Sequence, residues 1–181
     1  MLCPRSLWVG ASLLLLSTSA SAEDIILDVT LTNIFHGGLV TATWNAEQNT
    51  EVVGRTAFDY RNEYGSGHGP MNFRMRYLND GYINFHHPVS GLCMYAENNG
   101  KTVMGNCNHD RAKWQLIPNE NGSVLIRNLG RDGCLAVNDH NVSEFSLDYP
   151  GCPQEGAEAH AKLSWVITPW RGNSRVATTV R

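Results

Sequence analysis

Cysteine and histidine are the residue types that first suggest chemistry in this 181-residue chain. Cys93, Cys107, Cys134 and Cys152 lie outside the N-terminal segment, and His86-His87-Pro88 sits just upstream of the first of them. Thiols can close disulfides, ligate a metal or act as nucleophiles. A tetrathiolate zinc site wants two close C-x₂₋₄-C pairs, and that spacing is absent. Four cysteines left in an exported chain instead read as two disulfides, with three connectivities open. The seven histidines form no HExxH helix, and the chain has no G-x-S-x-G turn and no glycine-rich phosphate loop. Asp139-His140 and Asn108-His109-Asp110 set an acid beside a histidine, but they read as loop residues. His86-His87-Pro88 could ligate a metal and reads more simply as a polar loop between strands. No paired carboxylates have a spacing that implies acid–base work. The expectation is a chain with no catalytic residues, no metal and no cofactor.

The elements that must carry these residues are short strands. Asn72-Phe73-Arg74-Met75-Arg76-Tyr77 alternates apolar and basic residues, the mark of a strand with one buried face. Asn79-Asp80-Gly81 and Asn121-Gly122 stand between apolar runs and read as hairpin turns with both central residues at positive φ. Gly81 lies eight residues after Phe73, and Gly122 eight after Trp114. Ile83 and Val124 then open new strands, each two residues past its glycine. The cysteine segments match as well, Gly91–Cys107 against Gly133–Cys152. A weaker third copy aligns Leu31–Val40 with Ile126–Leu135 without a gap, Leu39 standing where the later copies have cysteine.

Repeats of this period mark stacked or closed assemblies of one supersecondary unit. Three units, about 28–80, 81–122 and 123–169, closing around a pseudo-threefold axis would form an all-β fold, a β-trefoil. Each unit alone exposes an apolar face that only the closed set buries. A β-sandwich is the alternative. On this reading the local cysteine pairs pin two of the three repeats, and each bridge contributes on the order of 3 kcal/mol.

The ends set the compartment. Arg5, an apolar run through Leu16 and the small residues Ala20-Ser21-Ala22 form a signal peptide, residues 1–22, cleaved after Ala22 and taking Cys3 with it. That predicts a secreted protein, periplasmic and then extracellular. Loss of Arg5 moves the net charge from −3 to −4, which argues against direct nucleic-acid binding. Residues 170–181 lie outside the third repeat and read as a flexible tail with Arg171, Arg175 and Arg181. Phe58–Pro70 places Phe58, Tyr60 and Tyr64 on a glycine-rich loop, a pattern suited to partner contact.

The pinned repeats, each ending on an aromatic, resemble the ricin-type lectin β-trefoil, which closes its repeats with Q-x-W. Here the triplets are Ala112-Lys113-Trp114 and Leu163-Ser164-Trp165, with the tryptophans kept and the glutamines lost. NGSVLIRN, the cysteine pair after it and the closing LSWVITPW resemble the A or C subunits of cytolethal distending toxin. The short mature chain and the missing lipid-anchor cysteine lean toward the C subunit. The resemblance is good over residues 70–170 and poor over 23–69.

It implies a non-catalytic subunit that binds the host cell surface, through a glycan or lipid. Such a subunit assembles with a second lectin-like subunit and a DNase I-like subunit. It also points to Tyr95, Glu97, Asn98 and Asn99 in the second unit, and Asn138, Asp139, Asn141 and Tyr149 in the third, as candidate glycan contacts. Turn-building explains the same Asn and Asp residues more simply. The family's A subunit has an aromatic cluster in its first repeat, but Asn45–Val53 here has none. Nearby Trp44, Phe58, Tyr60 and Tyr64 are the candidate substitutes. A stand-alone secreted lectin module is the alternative function.

Overall fold

The structure is a computed structural model that describes residues 26–42, 45–55, 72–137, 144–148, 151–153 and 161–169. Among the described residues thirteen strands and two 3₁₀ turns make up the regular elements, so the fold is all-β. Six strands form a closed ring: β1 (Ile26–Asn33), β13 (Trp165–Pro169), β9 (Val124–Asn128), β8 (Trp114–Pro118), β5 (Ile83–His86) and β4 (Phe73–Tyr77). Each is antiparallel to the next, and β4 pairs back onto β1. Closure leaves the ring no free edge. Outside the ring lie β2 (Leu39–Thr41) with β3 (Val53–Arg55), and β6 (Cys93–Ala96) with β7 (Thr102–Gly105). β10 (Gly133–Cys134) pairs β9, and β11 (Ala136–Val137) pairs β12 (Glu144–Asp148).

Alternation decides which side chains fill the ring. In β4, Phe73 and Met75 are buried while Arg74 is exposed. Together with Leu31, Val40, Phe85, Met94, Met104, Ile126, Leu135 and the two tryptophans they form one apolar core. Removing that surface from water is the main force closing the ring. Trp114 and Trp165 are fully buried, and each indole N–H donates to a backbone carbonyl. The acceptors are Met94 O at 3.1 Å and Leu135 O at 2.9 Å, equivalent positions beside the first cysteine of each pair.

A second recurring device sits where each unit's first strand turns outward. Asn33, His87 and Asn128 are all buried. Their side chains accept from the backbone N–H of Phe35 at 3.0 Å, Ser90 at 3.0 Å and Arg131 at 3.1 Å. Asn33 Nδ2 also donates to Lys162 O and Ser164 O, and Asn128 Nδ2 donates to Arg111 O and Lys113 O. Those carbonyls lie within and just after the 3₁₀ turns Ala161–Leu163 and Asp110–Ala112 that lead into the tryptophans. At the next equivalent position the backbone has positive φ in all three copies: Gly37 at 62°, Gly91 at 72° and Asp132 at 50°.

Two expectations need correction. The turns at Asn79-Asp80-Gly81 and Asn121-Gly122 are not two-residue turns with both central residues at positive φ. Leu78 N donates to Tyr82 O and Asn119 N to Ser123 O, which leaves three loop residues in each hairpin. Within them only the last, Gly81 at 83° and Gly122 at 81°, is left-handed. The backbone first makes an ordinary turn and then spends one glycine to restore the strand twist. His86 is likewise no loop residue, since it ends β5, whereas His87 lies in the β5–β6 loop as expected but is buried there. His87 is 1% exposed and occupies the asparagine position of the other two units.

Both expected local disulfides are present, Cys93–Cys107 with Cα atoms 5.0 Å apart and Cys134–Cys152 with Cα atoms 4.9 Å apart. The aromatic-free stretch within Asn45–Val53 has a structural task. Asn49 N donates to Met104 O, Met104 N to Thr50 O and Val52 N to Thr102 O, so this segment covers the outer edge of β7. Backbone bonds do that work and require no aromatic there.

Candidate functional site

Of the candidate glycan residues, Glu97 and Asn98 lie at the tip of the β6–β7 hairpin, and Tyr95 lies within β6 with its ring directed toward the hairpin's base. Tyr95 is half-buried at the centre of β6, opposite Val103. Its ring lies over Gly105, where a Cβ would come within 2.7 Å of Tyr95 Cγ. The other flank meets the edge of His109, with ring centroids 5.5 Å apart at 63°. A tyrosine held from two sides keeps one orientation.

The turn beyond it is built by its own backbone. Glu97 N donates to Lys101 O at 2.8 Å, and Asn99 Oδ1 accepts from Lys101 N at 2.9 Å. Asn99 is therefore committed to the turn. Asn98 is exposed but engaged, since Arg131 donates to its side-chain oxygen at 3.3 Å and to its backbone oxygen at 3.1 Å. The pair links the tip of unit two to the outward turn of unit three. A hydroxyl approaching Asn98 therefore meets an amide with a cation already beside it.

Arg131 and His109 are the site residues that sequence reasoning missed. His109 was visible only as a neighbour of Asp110. Its Nδ1 accepts from Arg111 N at 3.2 Å and caps the first 3₁₀ turn. Asn138, Asp139, Asn141 and Tyr149 lie outside the described residues, as do Trp44, Phe58, Tyr60 and Tyr64. Leu92-x₂-Tyr95-x₅-Lys101 fits a loose pattern proposed for cholesterol contact, but the three residues are engaged separately. Leu92 packs against the core, Tyr95 rests on Gly105, and Lys101 pairs with Glu51 at 3.4 Å.

A second cluster lies at the other end of β6. His86 ends β5 directly opposite Cys93, and its Nδ1 is 3.6 Å from Cys107 Sγ. Burial lowers the His86 pKa below its ordinary 6.5. The Gly91 carbonyl, which accepts from the ring, pulls it back up, and the cationic Arg76 and Arg74 lower it further. Elsewhere Lys113 bridges Asp80 at 3.0 Å and Asp110 at 3.2 Å. The Lys113 ammonium bonded to Asp80 holds that carboxyl below its usual range, and the same bond raises Lys113.

Residues 28–177 match the model of the cytolethal distending toxin A/C domain. Among solved structures, the cytolethal distending toxin of Haemophilus ducreyi aligns with a TM-score of 0.64 at 17% identity, over 78% of this chain and 83% of that one. The toxin of Actinobacillus actinomycetemcomitans aligns with the same TM-score at 16% identity, over 78% and 90%. A designed threefold-symmetric protein, ThreeFoil, also scores 0.64, at 15% identity over 79% and 99%. At these identities the likeness is one of fold. No curated protein matches the chain by sequence.

Proposed function

The chain belongs to the cytolethal distending toxin A/C family, and on that premise we propose that it is a non-catalytic binding and delivery subunit of such a toxin. Its fold is a β-trefoil of ricin-lectin type spanning residues 23–169 in units of about 28–80, 81–122 and 123–169, with a C-terminal tail at 170–181. The signal peptide, residues 1–22, sends it to the periplasm and then outside the cell. There it joins a DNase I-like subunit and a second lectin-like subunit and contacts a host-surface glycan or lipid. It fills the C position rather than the A position.

The observation that carries this reading is the family match running through all three units, residues 28–177. The six-strand ring with its three recurring buried caps supports the fold assignment, because those caps need a threefold repeat to recur. Cell contact is assigned to Tyr95, Glu97 and Asn98 of the β6–β7 hairpin and to Trp44, Phe58, Tyr60 and Tyr64, with Asn138 and Asp139 as the counterpart in unit three.

Co-expression with candidate DNase I-like and lectin-like subunits, followed by size-exclusion chromatography with mass detection, tests the proposal. A stoichiometric complex that survives the column supports it. A lone monomer retained on immobilised glycans would replace it with the stand-alone lectin.

A further inference from the structure

The geometry points to a metal site latent in the second unit. When a dithiol reductant opens the Cys93–Cys107 bridge, the two thiolates and His86 Nδ1 hold one zinc-class divalent cation. Among the described residues, these three form the one group of three or more potential ligand side chains. Their donor atoms all lie within 4.8 Å of one another.

The spacing suits the cation. Metal–sulfur bonds of about 2.3 Å and metal–nitrogen bonds of about 2.0–2.1 Å at a tetrahedral angle give a sulfur-to-nitrogen edge of roughly 3.5 Å. His86 Nδ1 and Cys107 Sγ already stand 3.6 Å apart. Cys93 is fixed in β6 and completely buried, in register with His86. Cys107 follows β7 in a turn and is half-buried, so it is the sulfur free to swing away from Cys93. Three protein ligands leave the fourth tetrahedral position to water.

The other disulfide provides the internal contrast. Arg127 faces Cys134 in the same register in which His86 faces Cys93. That arginine pairs with Asp132 and offers no lone pair. Among the described residues, the position facing the strand cysteine thus carries a ligand in one pair and none in the other.

The chemistry balances in two steps. The dithiol gives two electrons and two protons, its own disulfide forms, and the Cys93–Cys107 bond becomes two thiols. Metal capture forms two metal–sulfur bonds and one metal–nitrogen bond and releases both thiol protons to solvent. His86 binds through Nδ1 as the neutral ring protonated at Nε2.

The test uses the full mature chain, reduced with a phosphine and desalted anaerobically. Titration with Co²⁺ and then Zn²⁺ should give one bound ion per reduced chain, with thiolate-to-cobalt charge-transfer absorbance, and none for the oxidised chain. Alkylation read by peptide mass spectrometry should show Zn²⁺ protecting Cys93 and Cys107 but not Cys134 and Cys152. His86→Gln should weaken Zn²⁺ binding by at least about tenfold. Equal protection of both pairs, no protection, or unchanged affinity in His86→Gln would overturn the assignment. If that variant does not fold, the alkylation map of the unaltered chain decides alone.

Discussion

Trp165→Phe isolates one of the two equivalent hydrogen bonds made by the buried indoles. The indole is fully buried and its N–H donates to Leu135 O at 2.9 Å. Phenylalanine keeps most of the apolar surface but leaves that carbonyl without its donor, at a cost of about 1–3 kcal/mol. The smaller ring also leaves a void that adds about 1 kcal/mol. The expected loss is therefore about 2–4 kcal/mol, a large share of the roughly 5–15 kcal/mol of a whole domain. Urea denaturation followed by far-ultraviolet circular dichroism should show the midpoint falling by about 1–2 M at unchanged slope. Trp114→Phe should cost a similar amount, because its N–H meets the equivalent carbonyl of Met94 at 3.1 Å. Val166→Thr, on the exposed side of β13, should stay within about 0.5 kcal/mol. A loss below about 0.5 kcal/mol for either tryptophan would refute the reasoning. A severe loss at one with none at the other would refute the equivalence of the units.

Replacing Cys134 and Cys152 together by serine should remove about 3 kcal/mol, measured by thermal unfolding with and without reductant, since the bridge spans 18 residues. Asn128→Asp keeps the shape but sets a carboxylate against Arg111 O and Lys113 O, both now acceptors of its N–H. Urea unfolding should register a loss of at least about 2 kcal/mol, and a neutral result would show that the cap is not structural. His86 takes up its proton less readily folded than unfolded, because burial and the nearby arginines disfavour the charged ring. The unfolded chain therefore binds more protons just below pH 6.5, and stability falls as pH drops through that value. Parallel urea titrations should show wild type losing stability more steeply than His86→Gln on acidification from about pH 7 to about pH 5. Parallel curves for the two proteins would contradict that expectation.

The parts of the fold legible in the sequence were those carried by local chemistry. Gly81 and Gly122 announce their hairpins because a left-handed residue is needed there, and Phe73–Tyr77 announces its strand by alternation. Trp114 and Trp165 mark equivalent ends because an indole satisfies a carbonyl that no aliphatic residue can. What stayed hidden is non-local. The cover on β7 is supplied by residues about fifty positions earlier through backbone bonds, which leave no trace in side-chain type. Arg131 reaches Asn98 across two units, and nothing near either residue signals the pairing.

His87 shows why even the repeats were only partly visible. The cap needs a buried side chain whose acceptor can take the N–H of a residue two or three positions on. Asn33 and Asn128 meet that need with an amide oxygen, and His87 meets it with Nδ1. The requirement is an acceptor at a fixed place, not an amino-acid type, so chemically different residues satisfy it and the alignment loses the position. The same tolerance lets a common fold persist at 17% identity with a TM-score of 0.64. Backbone bonds and a few acceptors hold the ring, while the hairpin tips are free to change. It follows that what distinguishes this chain from its structural neighbours is to be sought at Tyr95, Asn98 and Arg131, and beside Cys107, where no recurring cap constrains the choice of residue.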